Sequence, residues 1–266
     1  MQPDDLFNNF SSKLKELRDE IDVDHFVVAL SGGLDSMVFV DLVGRYFGPG
    51  SDSYSIVHVD HGLNVSSKCW AKHCVATGES LGKVCEVIEL DPNERKPDGI
   101  EAWARTSRYA SLEKFVGLRC CLLTAHHNED QAETILKHVL EGAGPYGLKA
   151  MRYVRRFYNG YLARPLLTTS HRDIAGYAQG RKLEWIEDPS NVDEKFFRNR
   201  IRKTVLPVLK SVVPNAVKGL LKMAELQGEL LEGLNDIIDS HLSEFQIPEH
   251  QVDLDILNRV PGSLHP

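Results

Sequence analysis

The sequence predicts an α/β protein: a parallel, twisted, Rossmann-like sheet with helices on both faces, followed by a small helical C-terminal segment. Three observations predict it. Short runs rich in Val, Ile, Leu or Cys recur at His25–Leu30, Tyr54–Val59, Val84–Leu90 and Cys120–Ala125. Most of their residues are apolar and the central ones run together rather than alternating, the mark of strands buried on both faces. Helix-length segments near 34–47, 66–82, 100–117 and 129–141 separate them, and strands alternating with helices build a parallel sheet. Such sheets bind ligands beyond the carboxyl ends of their strands, so the residues after each strand are the first candidates for function.

From about residue 151 the pattern changes. Tyr153–Leu167 reads as a β excursion ending in Arg164-Pro165, residues 170–182 as a helix, and Trp185–Asn191 as a turn. Phe196–Leu209 and Asn215–Phe245 read as helices, and Val252–Leu257 begins another element. The expectation is a first domain over 1–212 and the helical start of a C-terminal domain over 213–266, cut inside that domain.

Composition agrees with a globular chain. Of 266 residues, 42% are hydrophobic and 26% charged, which excludes disorder, collagen and low-complexity classes. No run of about 18 apolar residues occurs, so no membrane partner is expected. The N-terminus, Met-Gln-Pro-Asp-Asp, has no apolar secretion core. The five cysteines, Cys69, Cys74, Cys85, Cys120 and Cys121, contain no C-x-x-C pair. That argues against a disulfide framework and a four-cysteine zinc site, and makes the cytoplasm the expected compartment. The net charge of −7 hides an asymmetry: residues 151–222 carry 15 basic and 6 acidic side chains. A basic stripe between two acidic segments is either a polyanion footprint or an evenly solvated helical surface.

The strongest chemical signal follows the first strand. Val27–Leu30 runs into Ser31-Gly32-Gly33-Leu34-Asp35-Ser36 and then a helix. Two glycines allow close backbone approach, two serines offer hydroxyls, and the helix start offers free amides and the positive dipole end. This is a cradle for phosphate or pyrophosphate. Asp35 would repel a bare phosphate, so it implies a bridging magnesium ion. No G-x-x-x-x-G-K-[ST] occurs, and the G-x-G-x-x-G at Gly142, Gly144 and Gly147 follows a helix, so it fails as a dinucleotide fingerprint.

The string S-G-G-L-D-S resembles the loop of the PP-loop family, the N-type ATP pyrophosphatases. Further segments come in order: His58-Val59-Asp60-His61-Gly62-Leu63, Gly99–Tyr109 with Arg105 and Arg108, Ala125–Thr134 with His126, His127, Asp130 and Glu133, then Arg164-Pro165-Leu166-Leu167, Glu187–Asn191 and Arg198–Arg202. The ordered set, over roughly 20–212, is similar to the tRNA(Ile)-lysidine synthetase family. The resemblance implies ATP cleavage between the α and β phosphates and adenylation of the wobble cytidine of an isoleucine tRNA with a CAU anticodon. Free lysine then displaces AMP. It also implies adenine and ribose contacts, largely from backbone, at His58, Val59, Asp60 and His61. It leaves a homodimer open.

The residues can be read physically beside that. Arg105 and Arg108 share a helical face and suit the charge of a transferred phosphate, with Glu101 one turn earlier to orient Arg105. Asp130 and Glu133 also share a face; two carboxylates can hold the lysine ammonium while His126 or His127 takes or relays its proton. A zinc site is the competing reading, and no H-E-x-x-H supports it. Arg198 and Arg202, four apart, face one way and Arg200 another; they suit phosphate of ATP or tRNA. Trp70, Trp103 and Trp185 read as core. A PP-loop tRNA sulfur transferase (2-thiolation) is the nearest alternative, but the cysteines do not suit it. A small-molecule amidotransferase or NAD synthetase, and a non-enzymatic ATP-binding regulatory module, are the others.

Overall fold

The computed structural model describes residues 3–94, 99–189 and 197–244. The elements run α1 (Pro3–Glu20), β1 (His25–Ala29), α2 (Leu34–Phe47), β2 (Tyr54–Asp60), α3 (Ser67–Ser80), β3 (Cys85–Glu89) and α4 (Ile100–Glu113). They continue with β4 (Cys120–Leu123), α5 (Asn128–Leu140), α6 (Pro145–Leu148), β5 (Val154–Phe157), β6 (Gly160–Ala163) and α7 (His171–Arg181). A short α8 (Phe197–Arg200) leads through a π-helical turn, Ile201–Val205, into α9 (Leu206–Val212) and α10 (Ala216–Glu244). The expected element starting at Val252 lies outside the described residues.

The six strands are ordered β3-β2-β1-β4-β6-β5. All neighbours pair in parallel except β5, which folds back antiparallel on β6 with Val154 opposite Ala163 and Phe157 opposite Gly160. The β excursion of the sequence is therefore an edge hairpin. Chain order reverses at β1 and β4, whose carboxyl ends flank the crevice where such sheets bind ligands.

Pleating sends alternate residues of each strand to opposite faces. On one face Val28, Ile56, Cys121 and Ala163 pack with α1, α2, α3 and α7 around Phe10, Phe39 and Tyr177. On the other, Val27, Val57, Leu122 and Leu162 meet Leu112 and Val116 at the end of α4. A third, smaller cluster joins α5 to the C-terminal helices through Ala132, Ile201, Leu206 and Val217. The strand-and-helix pattern of the sequence assigns no element to residues 3–20. There Leu6, Phe10, Leu14 and Leu17 recur on one helical face and are all buried. Trp103 is buried as expected, while Trp70 and Trp185 are half-buried. No single described helix is long and apolar enough to cross a membrane.

Candidate active site

The loop after β1 is an open anion cradle. Gly32 has φ +85°, a conformation that side chains other than glycine rarely adopt, and this turns the chain into α2. Gly33 caps α2 without any side-chain hydrogen bond, so the first-turn amides are left for a ligand. Ser36 ties the loop together: its hydroxyl donates to the Gly33 carbonyl at 2.9 Å and accepts from the Ser31 amide at 3.2 Å. The Ser31 hydroxyl adds a third bond to Ser36 Oγ at 3.0 Å. Across the loop, the Ile186 amide donates to the Gly32 carbonyl at 2.9 Å.

The loop after β4 arrives at the same crevice. His127 caps α5, accepting at Nδ1 from the Glu129 amide at 3.2 Å, and Asp130 reciprocates by accepting from the His127 amide at 3.0 Å. With Nδ1 an acceptor, Nε2 carries the proton. That edge faces Asp130 at 3.5 Å and Asp35 of the first loop at 3.6 Å. The reversal of strand order is what joins residues 92 apart in sequence.

Asp35 is the group that could hold a metal. Burial raises its carboxyl, but hydrogen bonding to His127 and the charges of His127, His171 and Arg202 pull it below the ordinary range. Its Oδ1 is buried and accepts no hydrogen bond. A lone pair stranded in this way fits a hard cation. Among the described residues no three His, Cys, Asp or Glu groups converge as a metal cage, so any ion would depend on one carboxylate plus phosphate oxygens, the manner of magnesium.

Asp130 and Glu133, the acids expected to hold the lysine ammonium, are both paired with a cationic side chain of this chain. Arg202 donates to Glu133 at 2.6 Å and to Asp130 at 2.9 Å. Glu133 is 1% exposed, and burial raises its carboxyl although Arg202 opposes the shift. Arg202 is correspondingly not a free phosphate ligand. Arg198 does face the same helix, reaching Thr134 Oγ1 at 3.4 Å, while Arg200 is exposed and lies over the Phe197 ring.

The two histidines differ. Burial and the charges of Arg164, Arg108 and Arg105 push His126 down to about 3, and its Nδ1 contacts Thr124 Oγ1 at 2.9 Å. Burial lowers His127 too, but Asp35 and Asp130 outweigh it and raise the group.

After β2, His58 and Asp60 are spent on the protein. His58 Nδ1 meets the Leu30 carbonyl at 2.8 Å, and Asp60 accepts from the Gly62 amide at 2.8 Å. The Nδ1 of His61 is buried and has no hydrogen-bond partner among the described residues. His61, edge-on to Trp103, is pushed down to about 4 by burial and the Arg108 charge. The side chain of Glu101 lies outside the described residues, as do Ser190 and Asn191.

Sequence reasoning missed His171, whose Nε2 is 3.9 Å from Asp35 and whose ring is 5.4 Å from that of His127. It also gave no role to Tyr109 and Arg164, which with Arg105 and Arg108 form a buried positive cluster.

Residues 6–209 match the family described as the PP-loop domain. The chain belongs to the PP-loop family. Membership carries ATP binding with it. Curated PP-loop relatives agree in detail. A tRNA(Ile)-lysidine synthase of Methylococcus capsulatus is 42% identical over 215 residues, covering 79% of this chain and 49% of that protein. One of Yersinia pseudotuberculosis is 35% identical over 256 residues, 96% of this chain and 54% of that protein. The chain thus spans about half the length of these relatives. Among solved structures, the U34-tRNA thiolase NcsA of Methanococcus maripaludis, with its 4Fe-4S cluster, superposes with a TM-score of 0.64. It covers 85% of this chain and 78% of its own at 17% identity, a likeness of fold alone.

Proposed function

We propose that this PP-loop protein is a tRNA(Ile)-lysidine synthase. ATP adenylates the 2-oxygen of the wobble cytidine in an isoleucine tRNA with a CAU anticodon, and pyrophosphate leaves. The side-chain amine of free lysine then attacks the 2-carbon, and AMP leaves with the oxygen. One observation carries the reading beyond ATP binding: Asp130 and Glu133 close around a cationic side chain one histidine away from the phosphate loop. A site that holds a guanidinium between two acids has the chemistry to hold an ammonium. The curated relatives support the same reading.

The uncapped amides of Leu34–Ser36 and the Ser31 and Ser36 hydroxyls would bind the pyrophosphate oxygens. Asp35 would hold magnesium, which when bound neutralises phosphate charge. Arg105 and Arg108 would stabilise charge on the transferred phosphate. Lysine must lose a proton before it attacks, since its ordinary pKa is about 10.4. His126, held near 3, is neutral but a poor acceptor. Glu133, raised by burial, faces the ammonium and is the better base. The division into a PP-loop unit over 1–212 and a further helical unit from 213 is proposed on the same footing.

The sulfur-transfer alternative needs reactive thiolates. Burial instead pushes Cys74 and Cys121 up to about 12 and Cys85 to about 11, while Cys69 is exposed on α3 and Cys120 half-buried on β4, with no second thiol in C-x-x-C spacing beside either. The test is incorporation of labelled lysine into isoleucine tRNA bearing a CAU anticodon, with ATP and magnesium and with Asp35→Ala as control. Incorporation lost in the control supports the reading. No lysine transfer by the full-length protein refutes it.

A further inference from the structure

A groove of about 440 Å³ runs beside α4, on the sheet face opposite α2, and is lined by Arg105, Tyr109, Arg155, Phe157 and Tyr158. Its volume lies in the range of small-molecule clefts, roughly 300–1,000 Å³. Its chemistry is basic and aromatic. Phe157 forms the floor, with the Tyr109 ring 5.8 Å and the Tyr158 ring 4.8 Å from it, both steeply inclined. Arg155 lies over Phe157 at 5.4 Å, and Arg105 over Tyr109 at 5.2 Å.

Among the described residues, none of Arg105, Arg108, Arg155 and Arg164 pairs with a carboxylate. Tyr109 favours the charge of Arg105 and Arg164, but Arg105 also feels Arg198, Arg108 and Arg155 as like charges, and Arg164 feels Arg155 and Arg105. Guanidiniums crowded in this way repel one another unless an anion joins them. Glu113 approaches only the outer rim, at the Tyr158 hydroxyl. Tyr158 itself is 57% exposed on the hairpin turn and held at φ +49°, a large ring presented to solvent.

We propose that this groove takes one nucleotide unit of single-stranded RNA, its base stacked on Tyr158 and its phosphate on Arg155. Aromatic rings interleaved with guanidiniums are the ordinary platform for unpaired nucleotides. ATP offers the same chemistry, a base and phosphates, but its cradle follows β1. β5 stands three strand spacings away, about 14 Å. A nucleotide adjoining the reacting cytidine is the occupant that fits this separation, so the inference rests on the tRNA reading above and extends it.

The test uses Arg155→Glu and Tyr158→Ala, both on exposed side chains and both checked for an unchanged Tm. Binding of a fluorescent single-stranded RNA heptamer centred on CAU is measured beside binding of ATP. Arg155→Glu is expected to raise the RNA Kd at least tenfold and to make its salt dependence shallower by about one phosphate contact. ATP affinity stays within twofold, and Arg155→Lys recovers part of the RNA binding. Unchanged RNA binding overturns the proposal. So does an equal loss of ATP binding, which would make the groove part of the ATP site, or failure of the wild-type protein to bind the RNA. Lysine transfer separates this inference from its parent reading. If RNA binds through Arg155 but no lysine is transferred, the groove stands and the lysidine assignment falls. If lysine transfer proceeds with an unchanged KM for tRNA in Arg155→Glu, the groove falls and the assignment stands.

Discussion

Arg202 donates from Nε to Glu133 and from Nη2 to Asp130, so one guanidinium spans both acids on the first turns of α5. The π-helical turn Ile201–Val205 carries it there. An extra residue in a helical turn rotates the residues beyond it, and such turns recur at functional sites. The pair is half in water: Glu133 is 1% exposed and Arg202 41%.

Removing Arg202 therefore leaves a buried carboxylate without its partner. Arg202→Ala should destabilise the fold by about 2 kcal/mol at pH 7, less than the roughly 3–5 kcal/mol for breaking a fully buried pair, because one partner is solvated. Glu133→Gln in the same background should restore most of the loss. Urea unfolding of the two single variants and the double variant measures the coupling, and additive losses would mean the pair contributes nothing.

Gly32 makes a second prediction. A Cβ there would lie 3.0 Å from Ile186 Cδ1 and 3.3 Å from the buried Cys74 sulfur, on a backbone at φ +85°. Gly32→Ala should cost about 1–3 kcal/mol of strain. It should also misalign the loop amides and weaken ATP binding by tenfold or more. Calorimetric titration with ATP checks it, and a Kd equal to that of the wild type would show that the loop tolerates the side chain.

Stability should fall on mild acidification. His61 is held at about 4 and His126 at about 3, against an ordinary 6.5. Below pH 6.5 the unfolded chain takes up protons that these two folded sites refuse. Each group then removes about 1 kcal/mol per pH unit, allowing for partial exposure. His127, which is raised, acts in the opposite sense. Comparing wild type with His126→Gln at pH 6.5 and pH 5.0 isolates one group. The variant should lose about 1–2 kcal/mol less over that interval, and identical losses would place His126 in water.

Much of the fold is legible in the amino-acid sequence. The strands and crossovers are readable because each apolar run is bounded by polar or turn residues, and the expected helix over 34–47 matches Leu34–Phe47 to the residue. The helix Pro3–Glu20 carries an equally clear stripe at Leu6, Phe10, Leu14 and Leu17, but no chemistry draws attention to it. The composition of the site is legible, since loop and cluster each follow a strand. Its occupancy is not. Arg202 lies 69 residues beyond Glu133, and its aim depends on a π turn that apolar periodicity does not encode. His171 is invisible for a similar reason: it reaches Asp35 only because α7 packs against α2.

Lysine binding gives the last prediction. The ammonium has to share or displace the contacts that Arg202 makes, so Arg202 and lysine compete for Glu133 and Asp130. Glu133→Gln keeps the shape and removes both the charge and the base, so it should lower kcat and raise the KM for lysine between ten- and a hundredfold, the worth of about 1.4–3 kcal/mol in a charge-assisted hydrogen bond. Arg202→Ala should move the KM for lysine the other way, down by up to tenfold, while kcat falls because Asp35 loses a neighbouring positive charge. Steady-state lysine transfer at saturating ATP and tRNA separates the two parameters. If both substitutions leave the KM for lysine where it was, the ammonium is held elsewhere; if Glu133→Gln also leaves kcat where it was, Glu133 is not the base either.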